Sequence, residues 1–283
     1  MELFDLLFSN INFQTTAANF GFAMILTIIA GLSTGIGSLI AHFIKRPKLS
    51  YLSVLLSFSA GVMLYISLVE LLNTAVLDVG FACANLFFFV GIFFILIIDL
   101  IVPHAYEHET GCDLPQLLDS EGKECLVCPE DRACLMRAGM FVAIGIAIHN
   151  FPEGMATFVS AISGDASLYI VITLAIALHN IPEGISVSIP IFYATGNKKK
   201  AILYSFFSGL AEPIGALIAF SILLPFLSIL LLSSLLAFVA GVMVYISLDE
   251  LLPAAHKYGK EHLTLAGILA GMIVMALSLL FLP

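Results

Sequence analysis

Charged residues are scarce in this 283-residue chain. Asp, Glu, Lys and Arg make up only 11% of the residues, whereas 60% are hydrophobic. A soluble globular domain carries about 25% charged residues, so this composition excludes the ordinary soluble class. The chain also lacks the alternating segments of about ten residues that indicate a membrane β-barrel. The composition therefore predicts a helical membrane protein.

Three signatures of other protein classes are also missing. The N-terminal stretch MELFDLLFSN has Glu2 and Asp5 where a cleavable signal peptide carries positive charge, so we expect the first hydrophobic segment to be retained. There is no Walker A sequence, which marks many ATP-using proteins. The H-E-x-x-H pattern of zinc hydrolases is absent too, and we expect no enzymatic activity.

Apolar runs fill most of the chain, and short polar breaks separate them. A run of about 20 apolar residues is long enough for a helix to cross the hydrocarbon core of a bilayer. We predict an all-α, polytopic membrane protein with eight transmembrane helices. The predicted spans cover residues 17–42, 51–72, 80–102, 138–162, 168–193, 201–224, 228–252 and 263–281.

All 11 basic residues fall in alternate loops of this arrangement. Loops rich in Lys and Arg stay in the cytoplasm, so we expect both termini outside and the protein in the plasma (inner) membrane. One missed span would disrupt the pattern, which supports the count of eight. The basic residues are Lys45, Arg46, Lys48, Lys123, Arg132, Arg137, Lys198, Lys199, Lys200, Lys257 and Lys260.

Two stretches of the chain occur twice. AGVMLYISLVELL (60–72) recurs as AGVMVYISLDELL (240–252), and GLSTGIGSLIA (31–41) recurs as GLAEPIGALIA (209–219). The copies lie five spans apart, and an odd offset inverts the second copy in the membrane. Secondary transporters often use inverted repeats, with the substrate site near the midplane. A duplication kept only for packing is the alternative.

These repeats predict a 3+2+3 organisation. The first repeat contains spans 1–3, and the second contains spans 6–8. Spans 4 and 5 lie between the repeats, after a cytoplasmic loop rich in Cys, His and acidic residues. The four regions are residues 1–102, 103–137, 138–193 and 194–283.

Spans 4 and 5 each carry the sequence H-N-x-P-E-G. The copies read IGIAIHNFPEGM (144–155) and LAIALHNIPEGI (174–185), 30 residues apart. Residues four apart share a helix face, so the His and Glu of each copy point the same way. Each Pro frees a backbone carbonyl, and each final Gly allows close helix approach.

Buried carboxylates explain why such a motif would bind a cation. An ionised Glu at mid-membrane depth costs about 3 kcal/mol on insertion scales, unless it is protonated or bridged by a cation. Imidazole with carboxylate suits Zn²⁺, Fe²⁺ and Mn²⁺, whereas Ca²⁺ and Mg²⁺ prefer oxygen ligands. Glu212, beside Pro213 in span 6, adds a third carboxylate. Two bridging Glu residues favour a binuclear site, and hydrogen-bonded histidines with packing kinks are the alternative.

These motifs, together with GLAEP and AGVMLYIS, resemble the ZIP family of divalent-metal transporters, and most closely its bacterial ZupT-like branch. The resemblance covers nearly the whole chain except the loop after span 3. It implies metal import by an elevator-like shift of one helix group against another. It also implies a binuclear site and a span-2 methionine ligand, which correspond to His149, Asn150, Glu153, His179, Asn180, Glu183, Glu212 and Met63.

The membrane potential agrees with inward movement, because a divalent cation gains about 4.6 kcal/mol on entering a cell held at −100 mV. We therefore predict a secondary transporter that imports Zn²⁺, and with it Fe²⁺, Mn²⁺, Co²⁺ and Cd²⁺. The predicted partners are these ions and membrane lipid, with no nucleic acid and no required cofactor. Proton coupling stays open. The alternatives are an intramembrane zinc-dependent hydrolase, a metal-sensing membrane protein and an exporter.

Several lesser features allow two interpretations each. The loop contains His104, His108, Cys112, Cys125, Cys128 and Cys134, which either capture metal or lie in a solvated segment. Glu70 and Glu250 either line a path or are solvated at helix ends. Small residues at Gly31, Gly35 and Gly37 suit packing within the protomer or in a homodimer. We expect Asp99 to be structural and Cys83 to be a packed thiol.

Overall fold

A computed structural model gives the fold of this chain. It describes the backbone of residues 13–43, 49–101, 129–163, 166–223, 228–258 and 261–281, with most side chains in these ranges. Every secondary-structure element in these ranges is helical, which confirms the all-α prediction for this part of the chain. Most of the predicted metal-capturing loop lies outside these ranges, namely His104, His108, Cys112, Cys125 and Cys128. Cys134 lies on a helix whose backbone alone is described at that position.

The described part contains eleven α-helices, and short π-helical segments join two pairs of them end to end. The helices are α1 (Phe13–Phe43), α2 (Leu49–Tyr65), α3 (Leu72–Val79), α4 (Phe81–Ile101), α5 (Pro129–Ser163), α6 (Ala166–Thr195), α7 (Lys198–Gly209), α8 (Ala211–Leu223), α9 (Ile229–Ile246), α10 (Leu252–Tyr258) and α11 (Glu261–Phe281). The π segment Ile66–Leu71 joins α2 to α3, and the π segment Ser247–Leu251 joins α9 to α10.

Seven stretches of the described residues are long and apolar enough to cross a membrane. They are Asn19–Ala41, Ser53–Val79, Phe81–Leu100, Leu168–Ile189, Lys198–Ile222, Ile229–His256 and Glu261–Leu280. These stretches correspond to seven of the predicted spans and confirm a polytopic membrane protein. The remaining predicted span, 138–162, lies within the 35-residue helix α5. An eighth crossing by α5 stays a prediction.

The outer surface of the helices is apolar. On α4, for example, Phe93, Ile97 and Leu100 share one face and are 57%, 56% and 75% exposed. Large apolar side chains are stable at such exposed positions when lipid surrounds them, because the lipid tails are themselves apolar. The fold therefore presents a lipid-compatible surface and buries many of its Ser, Thr, Asn and Glu side chains.

The helices pack as two groups. The motif group contains α1, α5, α6, α7 and α8, and the flanking group contains α2, α3, α4, α9, α10 and α11. Within the flanking group α2 packs on α11 and α4 packs on α9. The two groups meet mainly where α2 packs on α6 and where α9 packs on α5. Both H-N-x-P-E-G helices are therefore covered by the flanking group on one side.

Close contacts in the flanking group come in related pairs. Gly61 of α2 packs directly against the carbonyl oxygen of Ile268 in α11. Gly241 of α9 packs in the same way against the carbonyl oxygen of Phe88 in α4. Gly241 lies 180 residues after Gly61, and Ile268 lies 180 residues after Phe88. The first contact therefore joins a glycine of the first repeat to a carbonyl of the second, and the second contact joins the matched residues the other way round.

The two copies of the AGVM stretch also share their local structure. Each copy contains a π segment, and burial is the same at every matched position. Met63 and Met243 are both buried, whereas Glu70 and Glu250 are half-buried inside the π segments. π-helical turns are rare and are frequently found at functional sites, so their presence in both copies makes these helices candidates for a functional role.

The remaining minor predictions have these outcomes. Asp99 accepts a 3.1 Å hydrogen bond from the hydroxyl of Tyr245, which ties α4 to α9 and agrees with a structural role. Cys83 is a half-buried free thiol. Gly31 packs on Gly209 and Gly37 packs on Ile181, so two of the three small residues proposed for packing make their close contacts inside the protomer.

Candidate metal centre

The two H-N-x-P-E-G motifs meet across the interface of α5 and α6. Nε2 of His179 lies 3.1 Å from Oε1 of Glu153, and both side chains are fully buried. The pair joins the two copies of the motif, because His179 belongs to the second copy and Glu153 to the first. The spacing within one copy had suggested that His179 and Glu183 would share a face. The helix is continuous at these residues, which agrees with that prediction, and the hydrogen bond of His179 crosses to the neighbouring helix.

Glu183 contacts the flanking group. The hydroxyl of Ser59, on α2, donates to Oε1 of Glu183 at 3.2 Å and to the backbone oxygen of His179 at 3.3 Å. Met63 follows Ser59 by one helical turn on the same face of α2 and is fully buried. The structure therefore brings the Met63 face of α2 against the second motif.

Both asparagines of the motifs are held by their amide nitrogens. Nδ2 of Asn150 donates to the backbone oxygen of Ser208 in α7 at 3.3 Å. Nδ2 of Asn180 donates to the backbone oxygen of Ala30 in α1 at 3.0 Å. The Oδ1 atoms of both side chains have no hydrogen-bond partner among the described residues. The amides are therefore oriented so that their oxygens, the atoms by which an amide can bind a metal ion, stay available.

Glu212 enters the site from the first turn of α8. It is fully buried, and its Oε1 accepts a hydrogen bond from Nδ2 of Asn180. The sequence predicted one continuous helix over 201–224, but the structure ends α7 at Gly209 and begins α8 at Ala211. Pro213 causes this break, because it has no N–H to donate to the carbonyl of Gly209. The break places Glu212 at a helix N-terminus, where the helix dipole stabilises negative charge.

The final glycine of each motif is required by backbone packing. Gly154 of α5 lies directly against the carbonyl oxygen of Glu212, and Gly184 of α6 lies directly against that of Thr34 in α1. A Cβ at either glycine would overlap these oxygens. The predicted close approach is therefore confirmed, and its partners are α8 and α1. The helices α5 and α6 themselves continue through Pro152 and Pro182 without a break.

The site contains three buried carboxylates and no buried lysine or arginine among the described side chains. Glu153, Glu183 and Glu212 are all fully buried, whereas no Lys or Arg is buried among the side chains that the structure describes. Oε2 of Glu153 has no hydrogen-bond partner in the described part of the chain. Protons or metal cations are therefore the species that would neutralise these carboxylates.

The predicted ligands do not all converge. No group of three or more His, Cys, Asp and Glu side chains within the described ranges is arranged to hold a metal ion. His149 lies one helical turn before Glu153 on α5, but its side chain is outside the described part. The structure directly links His179 with Glu153 and Asn180 with Glu212. Glu183 is bound to Ser59 instead.

Sequence reasoning missed Ser59 as a partner of the motif. One signal was available in the repeat, because the matched position in the second copy is Val239. Ser57 differs in the same way, with Ala237 in the second copy, so the repeat alone does not single out Ser59.

Comparison with known proteins agrees with these features. Residues 128–279, which include both motifs and Glu212, match the family model described as ZIP Zinc transporter. The chain is 53% identical over 272 residues to "Zinc transporter ZupT" of Clostridium perfringens (strain 13 / Type A), an alignment that covers 91% of this chain and 95% of that protein. It is 50% identical over 266 residues to "Zinc transporter ZupT" of Streptococcus mutans serotype c, covering 91% and 96%.

A third relative, "Zinc transporter ZupT" of Campylobacter jejuni, is 48% identical over 291 aligned positions, which cover 94% of this chain and 98% of that protein. Each of these alignments extends over nearly the full length of both proteins. The resemblance inferred from the motifs is therefore confirmed, and this chain belongs to the ZIP zinc transporter family.

Proposed function

We propose that this protein is a secondary transporter that imports Zn²⁺ into the cytoplasm and also carries Fe²⁺, Mn²⁺, Co²⁺ and Cd²⁺. The observation that carries the proposal is the fully buried pair of His179 and Glu153, which joins the two motif helices. An imidazole and a carboxylate at one place form a typical pair of ligands for these ions. The relatives named as zinc transporters support the same substrate class.

The proposed metal ligands are the residues that the resemblance to the ZIP family implies. Three observations support them: the buried carboxylates, the free Oε2 atom of Glu153 and the available Oδ1 atoms of both asparagines within the described part. Two metal ions bridged by glutamates would use all of these groups. The ligands of this binuclear site are His149, Asn150, Glu153, His179, Asn180, Glu183, Glu212 and Met63.

The proposed transport depends on the free-energy cost of burying the three carboxylates. Three buried carboxylates are unfavourable without a counter-charge, and a bound divalent cation supplies it at the depth where water does not. Mixed ligands hold the ion without demanding one geometry, which agrees with several ions being carried. The membrane potential favours the inward direction for each of them. No ATP or cofactor is needed for this step.

The proposed motion is an elevator-like shift of the motif group against the flanking group. Its support is the division of the helices into these groups and the two related interfaces, α2 with α6 and α9 with α5. A cavity of about 780 Å³ lies between the groups and is lined by α4, α5 and α9. An inverted repeat would give the moving group two equivalent positions, one open to each side of the membrane. The termini would both lie outside.

The experiment that tests the proposal uses purified protein in liposomes with a metal-sensitive dye inside. We expect the wild-type protein to carry Zn²⁺ down its gradient and Glu183→Gln to reduce this flux by more than tenfold, because the variant loses a buried charge in the site. Glu261→Gln is the matched control, since Glu261 is exposed at the start of α11.

The outcomes separate the function from the site. Wild-type liposomes that carry no divalent metal would overturn the proposed transport. Normal flux in Glu183→Gln, with normal flux in Glu261→Gln, would leave transport intact and overturn the assignment of Glu183. Competition among Zn²⁺, Fe²⁺, Mn²⁺, Co²⁺ and Cd²⁺ in the same assay measures the range of ions.

A further inference from the structure

Thr34 differs from the other buried hydroxyl residues of α1. The hydroxyl of Thr27 donates to the backbone oxygen of Ala23 at 2.9 Å, and that of Ser38 donates to the backbone oxygen of Gly35 at 2.6 Å. The side chain of Thr34 is fully buried, and its Oγ1 has no hydrogen-bond partner among the described residues. Buried polar groups are normally hydrogen-bonded, so this hydroxyl is an exception that requires a reason.

Thr34 lies beside the metal site. A Cβ placed on Gly209 would come within 3.2 Å of Oγ1 of Thr34, so the hydroxyl lies against the backbone of α7. Ser208, the preceding residue of α7, accepts the hydrogen bond from the amide of Asn150. Thr34 and Asn150 therefore approach the same turn of α7, one from α1 and the other from α5. Oδ1 of Asn150 also has no partner within the described part.

The repeat relates Thr34 to Glu212. The two residues occupy the same position in GLSTGIGSLIA and GLAEPIGALIA. Their backbones make equivalent contacts, because the carbonyl of Thr34 lies against Gly184 and that of Glu212 lies against Gly154. The side chain of Glu212 is bound to the second-motif asparagine, Asn180. In the first repeat, Thr34 therefore occupies the position from which Glu212 reaches a motif asparagine in the second.

We propose that Thr34 is a specificity-determining residue of the metal path, and that its unpartnered hydroxyl forms a neutral oxygen subsite for the transported cation. The proposal rests on the proposed transport function and adds a residue from α1 to the site. On the other half of the site, Glu212 and Asn180 provide a charged counterpart. Thr34 thus supplies an oxygen ligand without adding another buried negative charge.

The chemistry of the subsite sets its preference among ions. Oxygen ligands suit Mn²⁺ better than they suit Zn²⁺, which is bound well by imidazole. Removal of the Thr34 hydroxyl should therefore weaken transport of Mn²⁺ more than transport of Zn²⁺. A role in packing alone would change the two rates equally.

The test compares Mn²⁺ and Zn²⁺ uptake into liposomes by four proteins. Thr34→Val keeps the shape of the side chain and removes the hydroxyl, whereas Thr34→Ser keeps the hydroxyl. Thr27→Val is the matched control, because Thr27 is equally buried on the same helix and its hydroxyl is bound within the helix. We expect the ratio of Mn²⁺ to Zn²⁺ uptake to fall about fivefold in Thr34→Val, the effect of one neutral hydrogen-bonding group. It should be unchanged in the other two variants.

An unchanged ratio in Thr34→Val, or the same fall in Thr27→Val, would overturn the proposal. If Thr34→Val does not fold, Thr34→Ala takes its place in the same comparison. If the proposed transport function were wrong, the result would be distinguishable from a failure of the Thr34 proposal, because the wild-type protein would then carry neither ion. Uptake by the wild-type protein that is lost in Glu183→Gln, together with an unchanged ratio in Thr34→Val, would contradict the role of Thr34 alone.

Discussion

Nε2 of His179 lies 3.1 Å from Oε1 of Glu153, so the imidazole of one motif is bound to the carboxylate of the other. This bond links helices α5 and α6 to each other at the depth of the proposed site. A cation that binds there competes with the bond between the two side chains. In the proposed transport, binding and release of the ion would depend on how easily this pair separates.

The first prediction concerns Glu153. Glu153→Gln keeps the size of the side chain and a hydrogen-bonding oxygen but removes the negative charge. We expect Zn²⁺ flux in liposomes to fall at least about tenfold, because a lost charged partner weakens binding by about 1.5–3 kcal/mol. The fall should be largest at low Zn²⁺ concentrations, where weaker binding limits the flux. A variant that transports as fast as Glu261→Gln would contradict a role for this carboxylate.

The second prediction concerns the amide of Asn180, which donates to Glu212 and to the backbone of Ala30. Asn180→Asp cannot donate these bonds and places a second carboxylate beside the first. We expect the metal-free variant to lose about 1–3 kcal/mol of unfolding free energy. Bound Zn²⁺ should restore stability, since a ligand that binds only the folded state raises its stability.

Thermal unfolding with and without Zn²⁺ measures this effect on detergent-solubilised protein. The difference in Tm between the two conditions should be larger for Asn180→Asp than for the wild-type protein. Equal differences in both proteins would show that no metal binds near this pair.

The third prediction concerns the last residue of the first motif. Gly154 lies against the carbonyl oxygen of Glu212, so a Cβ has no room. We expect Gly154→Ala to lower the unfolding free energy by about 1–3 kcal/mol or more, as overpacking does. The measurement is the Tm and the yield of folded protein.

Gly21→Ala provides the control for this substitution. Gly21 is exposed on α1, and nothing lies within 4 Å of the position that its Cβ would occupy. Alanine is a better helix former than glycine by about 1 kcal/mol, so this variant should be as stable as the wild-type protein or more stable. Equal stability of Gly154→Ala and Gly21→Ala would disprove the close contact of α5 with α8.

The fourth prediction concerns the contact between the two helix groups. Ser59→Ala removes the hydroxyl that donates to Glu183 and leaves that carboxylate less well solvated. We expect a change of about ten- to a hundredfold in the apparent KM for Zn²⁺, in line with the loss of one hydrogen bond to a charged group. Ser57→Ala is the control, because Ser57 is equally buried but donates to Ser53 of its own helix. A KM that changes equally in both variants would assign the effect to packing of α2.

Local patterns in the sequence were enough for the broad architecture. Hydrophobic runs identify membrane helices because each run must satisfy its backbone and match the bilayer by itself. The motifs and the repeats were likewise visible in the chain, and they identified the family and the candidate ligands. Pro213 was visible too, but a proline in the sequence does not show whether a helix will break there. The helices α5 and α6 continue through Pro152 and Pro182, whereas α7 ends shortly before Pro213.

The tertiary structure decided how those ligands are paired. Glu153 is bound to His179, Glu212 to Asn180 and Glu183 to Ser59. Spacing along one helix cannot give these partners, because they depend on the rotation and crossing of different helices. Backbone contacts between residues far apart in the chain, such as Gly154 with Glu212, set that rotation. The sequence by itself therefore determined which residues could bind a metal, and the packing of the helices decided which of them face one another.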